Sequence, residues 1–374
     1  FSLHIHAGIE LRELFERRRG GAAARALVDR LRARAAPASL LEVCGTHTAA
    51  LFATGVRGAL PPSLRIVSGP GCPVCVTPGR EVEKAVRLAC TPGIVLFCFN
   101  DMLRVSGLDG SLEDARAFRG ARVRSMYSPL DALEYAAGEP ALKTVIFGVG
   151  FETTIPLFAS VVRRARARGA RNLFLLPAFK LLPPALDAIL GRPGARLDGL
   201  ILPGHVSAVL GADAFRFLAE RHGVPGVVTG FEAADLLRGI LMLLEMIAGR
   251  KAEIRNGYSR FVSARGNEAA VAAIREVFVP RDSIWRGLGA IRSSGLGLRD
   301  EYAAFDAEAL LEGEIPDVPE PAGCACGDVL AGAKEPEECL LFGGRCTPSS
   351  PVGPCMVSGE GACAVHARYR GRCA

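Results

Sequence analysis

Short apolar runs recur along the first 230 residues, and each ends in small or polar residues before a helical stretch begins. The runs are Leu40–Val43, Leu64–Val67, Ile94–Phe99, Val123–Tyr127, Thr144–Val149, Leu173–Leu176, Leu200–Leu202 and Val227–Thr229. Strands that alternate with helices in this way predict parallel sheets. Four such tips fall on either side of Gly138–Leu142. The pattern therefore predicts an α/β protein with two similar parallel-sheet domains, 38–139 and 140–249, and a cleft between them. Ahead of them, Glu10 to Arg34 has helical spacing (Leu11, Leu14, Phe15, Leu27, Leu31) and forms a helical segment within 1–37. Leu236 to Ile247 is the densest apolar run. Arg238 and Glu245 interrupt it, so it reads as a buried helix and not a membrane span.

Beyond Arg250 the pattern weakens. Gly and Pro become frequent, and Glu314–Ala322 is a Pro-rich connector. Seven cysteines follow it: Cys324, Cys326, Cys339, Cys346, Cys355, Cys363 and Cys373. A segment so poor in apolar periodicity needs a staple other than a core. Residues 250–374 are expected to form a third, C-terminal domain stapled by thiolates on a metal or cluster.

Composition narrows the function. The chain has 374 residues, 49% hydrophobic and 22% charged, which is ordinary for a folded globular protein. Net charge is +6, mostly from Arg clusters at 17–19, 30–34 and 163–171 on helical segments. With only 6% aromatic residues to stack bases, these read as solvated helix faces and not as a nucleic-acid surface. The chain begins at Phe1, so no native start is assigned, and no secretory pattern is read at the N-terminus. The 12 cysteines are clustered: five in the first hundred residues, none from 99 to 323, seven after. That is unlike a short, evenly stapled secreted scaffold, and a cytoplasmic metal or redox protein is expected.

The candidate chemistry sits at the strand tips, where parallel sheets bind ligands. Cys72-Pro73-Val74-Cys75 lies in a Gly/Pro-rich loop between an apolar run and an amphipathic helix, a setting for a reactive or metal-binding dithiol. Cys44 and His47 sit three apart just past the first strand, where a soft thiolate suits iron and an imidazole can ligate or carry a proton. Glu152 and His205 are candidate acids, bases or supporting partners, with helix capping as the alternative. Gly148-x-Gly150 lacks the third glycine of a dinucleotide loop, and no P-loop occurs. Cys326, Cys339, Cys346 and Cys363 are spaced Cys-x12-Cys-x6-Cys-x16-Cys. Four thiolates suit zinc or an iron–sulfur cluster, and the absence of paired CxxC knuckles favours [4Fe–4S]. Cys324, Cys355 and Cys373 are spare thiols, and any of them can stand in for one of the four.

Several motifs together resemble the HypD family of hydrogenase maturation factors. They are Glu42-Val43-Cys44-Gly45-Thr46-His47-Thr48, Gly69-Pro70-Gly71-Cys72-Pro73-Val74-Cys75, Gly150-Phe151-Glu152-Thr153-Thr154 and Pro203-Gly204-His205-Val206-Ser207. Trp285-Arg286-Gly287-Leu288-Gly289, Phe305-Asp306-Ala307-Glu308 and Met356-Val357-Ser358-Gly359-Glu360-Gly361-Ala362-Cys363 join them. The resemblance runs from about residue 22 to 370. It implies two α/β domains and a third domain holding a [4Fe–4S] cluster. It also implies a scaffold, working with the chaperone HypC, on which iron gains two cyanides and one carbon monoxide for the large subunit of [NiFe]-hydrogenase. Cyanide would come from HypE with HypF. On this chain Cys44 would bind the iron with the N-terminal Cys of HypC, and Cys72 and Cys75 would be the redox pair beside it. Cys326, Cys339, Cys346 and Cys363 match the family's cluster pattern. The sequence departs from the family at Ala49, where members often have His, at Ala233 in place of Pro, and at Gly359 in place of Ser.

The chain thus reads as a maturation scaffold with redox activity and only loosely as an enzyme. The rival reading is an iron–sulfur-dependent dithiol–disulfide oxidoreductase that uses Cys72 and Cys75 on protein substrates. A structural zinc scaffold is a third.

Overall fold

The computed structural model describes residues 21–34, 36–194 and 196–369. Its strands are β1 (Ala38–Glu42), β2 (Leu64–Ser68), β3 (Ile94–Phe99), β4 (Val123–Met126), β5 (Lys143–Gly148), β6 (Leu173–Pro177), β7 (Gly199–Pro203), β8 (Gly226–Thr229), β9 (Ile254–Asn256), β10 (Phe278–Trp285) and β11 (Gly289–Leu298). The eight expected strands all form. β1 to β9 make two parallel sheets, in the orders β2-β1-β7-β8-β9 and β4-β3-β5-β6. The central strands β3, β5 and β7 are buried almost throughout, as strands covered by helices on both faces must be.

The sheets do not divide the chain at 139/140. β1 pairs with β2 on one side (Leu41↔Val67) and with β7 on the other (Leu41↔Leu200). β3 to β6 form the second sheet as a block inserted between β2 and β7. Apolar runs mark where strands occur but carry no partner information, because the central strands of both sheets, such as β3, β5 and β7, are buried on both faces and read alike. The chain passes from the first sheet to the second through the Cys72–Cys75 turn and the helix Gly79–Cys90, and returns through the helix Leu182–Leu190.

Leu236 to Ile247 lies in a helix, Ala233–Ala248, packed on the first sheet with Leu236, Leu237, Ile240 and Leu243 fully buried. Of the expected N-terminal helix, Gly21–Arg34 is helical; residues 10–20, the Arg17–Arg19 cluster and Cys373 lie outside the described residues. No helix among the described residues is long and apolar enough to cross a membrane.

The antiparallel hairpin β10–β11 escaped the sequence pattern. Only the ends of β10, Phe278 and Trp285, are buried; the positions between are polar or exposed. It rests against the end of the second sheet, where Leu181 N–H donates to Ser294 O (2.8 Å) and Arg281 Nη2 donates to Pro177 O (2.8 Å). From there the chain runs to the cysteine-rich C-terminal segment, whose helices Cys326–Leu330, Pro354–Val357 and Ala362–Tyr369 are short.

Candidate functional site

In each sheet the strand order reverses once, between β1 and β7 and between β3 and β5, so the loops beyond those strands splay apart and leave a crevice. The two crevices open into one cavity of about 740 Å³. The first sheet contributes Cys44 and Thr46 beyond β1, Gly71 to Val74 beyond β2, and His205 and Val206 beyond β7. The second contributes Phe99 and Asp101 beyond β3, and Gly150, Phe151, Thr153 and Thr154 beyond β5. Ser358 and Glu360 of the C-terminal segment close one wall.

Cys44 and Cys72 therefore share the cleft. Their loops are pressed together: a methyl group on Gly71 would lie 2.2 Å from Cys44 N, so no side chain fits there. Glu42, buried at the end of β1, accepts from Cys44 N–H (3.0 Å) and from the Thr48 hydroxyl, which fixes the turn that presents the sulfur. Burial raises the Glu42 carboxyl to about 7. Burial also pushes the Cys44 thiol up to about 12, against the backbone N–H of His47, which pulls it down. A thiol so placed stays protonated until a metal replaces its proton.

Cys72 caps the short helix Pro73–Val76, its sulfur accepting from Cys75 N–H (3.3 Å). Cys75 is fully buried and does not line the cleft. Burial and the neighbouring Cys75 push the Cys72 thiol well up. At Cys75 burial acts in the same direction, but hydrogen bonds from the Cys355 and Cys72 thiols and the charge of Arg286 outweigh it and bring the group down to about 6. One sulfur of the pair keeps its proton and the other gives its proton up.

Cys75 thus touches both the cleft thiol Cys72 and Cys355, which lines a second, small cavity together with Cys324, Cys326, Cys339, Cys346 and Cys363. All four expected ligands are there, and so are two of the three spare thiols. Cys326 and Cys355 face each other at 3.4 Å between sulfurs. Cys355 and Cys363, which line this cavity, bracket Ser358 and Glu360, which line the cleft. Ser358 Oγ donates to Asp101 Oδ2 (3.0 Å), and Thr46 Oγ1 donates to Glu360 Oε1 (3.0 Å).

Of the other expected residues, His205 lines the cleft, stacked on Phe231 with ring centroids 4.0 Å apart. Burial lowers its pKa while the Glu360 carboxylate opposes. His47 lies behind the wall on the other side of Phe231 (4.7 Å). Its Nε2–H donates to Gly230 O (3.1 Å), Nδ1 has no partner among the described residues, and burial lowers its pKa to about 4. Glu152 points into the interior. Its Oε1 accepts from Leu182 N–H (2.9 Å) at the start of a helix, its Oε2 has no partner among the described residues, and burial lifts its carboxyl to about 7. Glu152 and His47 therefore support the cleft wall and do not face its interior. Sequence reasoning passed over Asp101, Phe231, Ser358 and Glu360. Asp101 was findable by the rule that found Cys44, since it too follows a strand directly.

Glu335, Glu337 and His366 also gather. Arg57 donates to Glu335 (2.9 Å) and His366 Nδ1 bonds Glu337 (2.9 Å). With the cation of Arg57 already in place, the group is an ion-paired clasp holding the last described helix to the body.

Two parallel-sheet crevices with thiols at their tips, backed by a cavity lined by six cysteines, define an α/β protein with its cysteines gathered at and behind the strand tips. Residues 22–370 match the family model for HypD, described as the hydrogenase formation hypA family. The chain is 44% identical to the hydrogenase maturation factor HypD of Azotobacter vinelandii, over 94% of this chain and 95% of that protein. It is 42% identical to HypD of Escherichia coli strain K12, over 92% and 94%. To HypD of Cupriavidus necator it is 40% identical, over 94% and 95%. The chain belongs to the HypD family of hydrogenase maturation factors.

Proposed function

We propose that the chain is the scaffold on which iron acquires two cyanides and one carbon monoxide for [NiFe]-hydrogenase, with HypC sharing the iron and HypE, charged by HypF, bringing cyanide. The observation that carries this reading is that Cys44 and Cys72 line one cleft while Cys75, behind it, touches the six-cysteine cavity. Iron is the cargo. Cys44 supplies a soft ligand at a turn that Glu42 fixes, and Phe99, Phe151 and Val206 give the same cleft apolar walls. His205, Asp101 and Glu360 are the groups placed to hold or move a proton inside the cleft.

The six thiols suit a [4Fe–4S] cluster in number and chemistry. Such a cluster would supply electrons one at a time. The expected ligands are Cys326, Cys339, Cys346 and Cys363. The 3.4 Å contact between Cys326 and Cys355 favours a second set, in which Cys324 replaces Cys326. Cys326 and Cys355 would then be a second dithiol between the cavity and Cys75.

Infrared spectroscopy of the complex with HypC tests the function. Bands of metal-bound cyanide and carbon monoxide are expected in the native protein and absent from Cys44→Ala. Full bands in Cys44→Ala would overturn the scaffold reading and leave the dithiol oxidoreductase. Cluster absorbance near 400 nm in Cys324→Ser and Cys326→Ser decides between the ligand sets.

A further inference from the structure

The sequence motif Trp285-Arg286-Gly287-Leu288-Gly289 forms the turn between β10 and β11, and neither the cleft nor the cysteine cavity has claimed it. The turn is wedged between the two. On one side Arg286 N–H donates to Val76 O (2.9 Å) and Nε donates to Thr77 O (2.8 Å), the two residues that follow Cys75. On the other side Gly287, with φ of 70°, packs so tightly on Gly327 that a methyl group there would lie 2.5 Å from Gly327 Cα. Gly327 follows Cys326.

Arg286 is 4% exposed. Its Nη1 pairs with Glu320 (3.1 Å), which is itself partly exposed, and its buried Nη2 has no hydrogen-bond partner among the described residues. A guanidinium in so dry a place needs a negative partner, and a half-exposed carboxylate on one edge is a weak one. Among the described residues, the groups that act on the Cys75 sulfur are the Cys355 and Cys72 thiols, Arg286, whose charge favours a negative sulfur and whose N–H and Nε hold the two residues after Cys75, and Glu360, which opposes it. Arg286 is the only cation among them.

We propose that Arg286 is the buried counter-charge of the Cys72–Cys75 dithiol, a positioning residue that sets the pair's reduction potential by stabilising the thiolate left when its disulfide is reduced. The proposal rests on the reading of that pair as redox-active. Reduction by a dithiol breaks the Cys72–Cys75 bond with two electrons and oxidises the reductant to its own disulfide. Of the two protons the reductant gives up, one goes to a cysteine sulfur and the other to solvent. The second sulfur stays anionic near Arg286. Stabilising the reduced form makes the pair a stronger oxidant. Glu320 moderates the effect by neutralising part of the guanidinium charge.

The test uses the full-length protein under anaerobic conditions, equilibrated in dithiothreitol buffers of graded redox poise. The oxidised fraction of the peptide carrying Cys72 and Cys75 is read by differential alkylation and mass spectrometry. In Arg286→Gln the equilibrium constant for reduction should fall about tenfold, a shift of about 30 mV to more negative potential. Arg286→Lys, which keeps the charge, should stay within about threefold of the native value. Glu320→Gln should move the opposite way, and its partly exposed position makes it the variant certain to be read if Arg286→Gln fails to fold. The pH at which alkylation of the reduced pair begins should rise in Arg286→Gln and fall in Glu320→Gln. A native potential in Arg286→Gln, or a negative shift in Glu320→Gln, would overturn the proposal while leaving the dithiol reading intact. No Cys72–Cys75 disulfide in the native protein at any poise would overturn both.

Discussion

The thiols of the cleft and those of the cysteine cavity are held by different means. Cys44 and Cys72 project from β1 and β2, strands whose apolar residues are buried almost completely, Leu40 and Ile66 in a core of the first sheet and Leu41 and Val67 in one that spans both sheets. Their positions are fixed by this packing alone. Around the cavity, by contrast, the local core is Leu341, Cys346, Met356 and Ala364, and the helices there are four to eight residues long. Cysteines make up much of what little packs there. The cleft is a preorganised site on a rigid scaffold, whereas the cavity is a region that the proposed cluster would complete.

Two perturbations separate the regions most sharply. Removing the proposed cluster, by chelation or by Cys346→Ser, should cost the C-terminal segment on the order of 10 kcal/mol. Amide exchange over 324–369 should then approach that of an unfolded chain while β1 to β8 stay protected. Equal protection with and without the ligand would show that the segment folds on packing alone. The counterpart in the cleft is Gly71→Ala. Because the added methyl would meet the Cys44 backbone and not a mobile side-chain end, a loss of about 4 kcal/mol is expected. Chemical denaturation measures it. A loss below about 1 kcal/mol would mean that the Cys44 and Cys72 loops are not locked together.

The same contrast explains what the sequence revealed. Strand identity was legible because β1 to β8 are short apolar runs closed by Gly, Pro and polar residues. The cleft was legible because Cys44, Cys72 and His205 sit directly past such runs. Which strands share a sheet was not, since Leu40 finds both Ile66 and Gly199 as neighbours and nothing local prefers one to the other. The hairpin carrying Arg286 was missed because only the ends of β10 are buried. The inward turn of Glu152 and His47 was hidden too. A polar residue at a strand tip reads alike whether it faces a cleft or braces the wall behind it. In the cavity the spacing of the cysteines announced a shared site, but not that Cys326 would face Cys355.

Glu152 allows the rigidity of the cleft wall to be read through pH. Its carboxyl is raised from 4.5 to about 7 in the fold, so its favourable contribution is whole below pH 4.5 and is lost as pH rises through 7, by about 3 kcal/mol. Glu42 acts in the same direction. His47, lowered to about 4, acts oppositely, its contribution falling away as pH drops from 6.5 towards 4. The native profile mixes the three, so the informative quantity is the difference from Glu152→Gln, which keeps the acceptor for Leu182 N–H and removes the titration. Relative to the native protein the variant should gain about 3 kcal/mol between pH 4.5 and 8 in urea denaturation. A flat difference would mean that water reaches Oε2 and the wall is open.

The smallest effect bears on whether the two regions are one unit or two. The loop between Cys355 and Cys363 belongs to both: its ends line the cavity and its middle, Ser358 and Glu360, lines the cleft. Ser358→Ala removes the bond to Asp101, an exposed carboxylate that water can satisfy, together with the longer bond accepted from Glu360 N–H (3.4 Å) and the hydroxyl's contact with the Cys72 thiol. The cost should be about 1 kcal/mol, which speeds exchange of the loop amides about fivefold. If the loop merely rests on the cleft, exchange at 356–361 rises and the tips of β1 and β2 are untouched. If the amides beyond β1, Cys44 among them, quicken by the same factor, the loop and the tips open together. The contrast between a rigid cleft and a stapled module would then fail at this seam, because what loosens one would loosen the other.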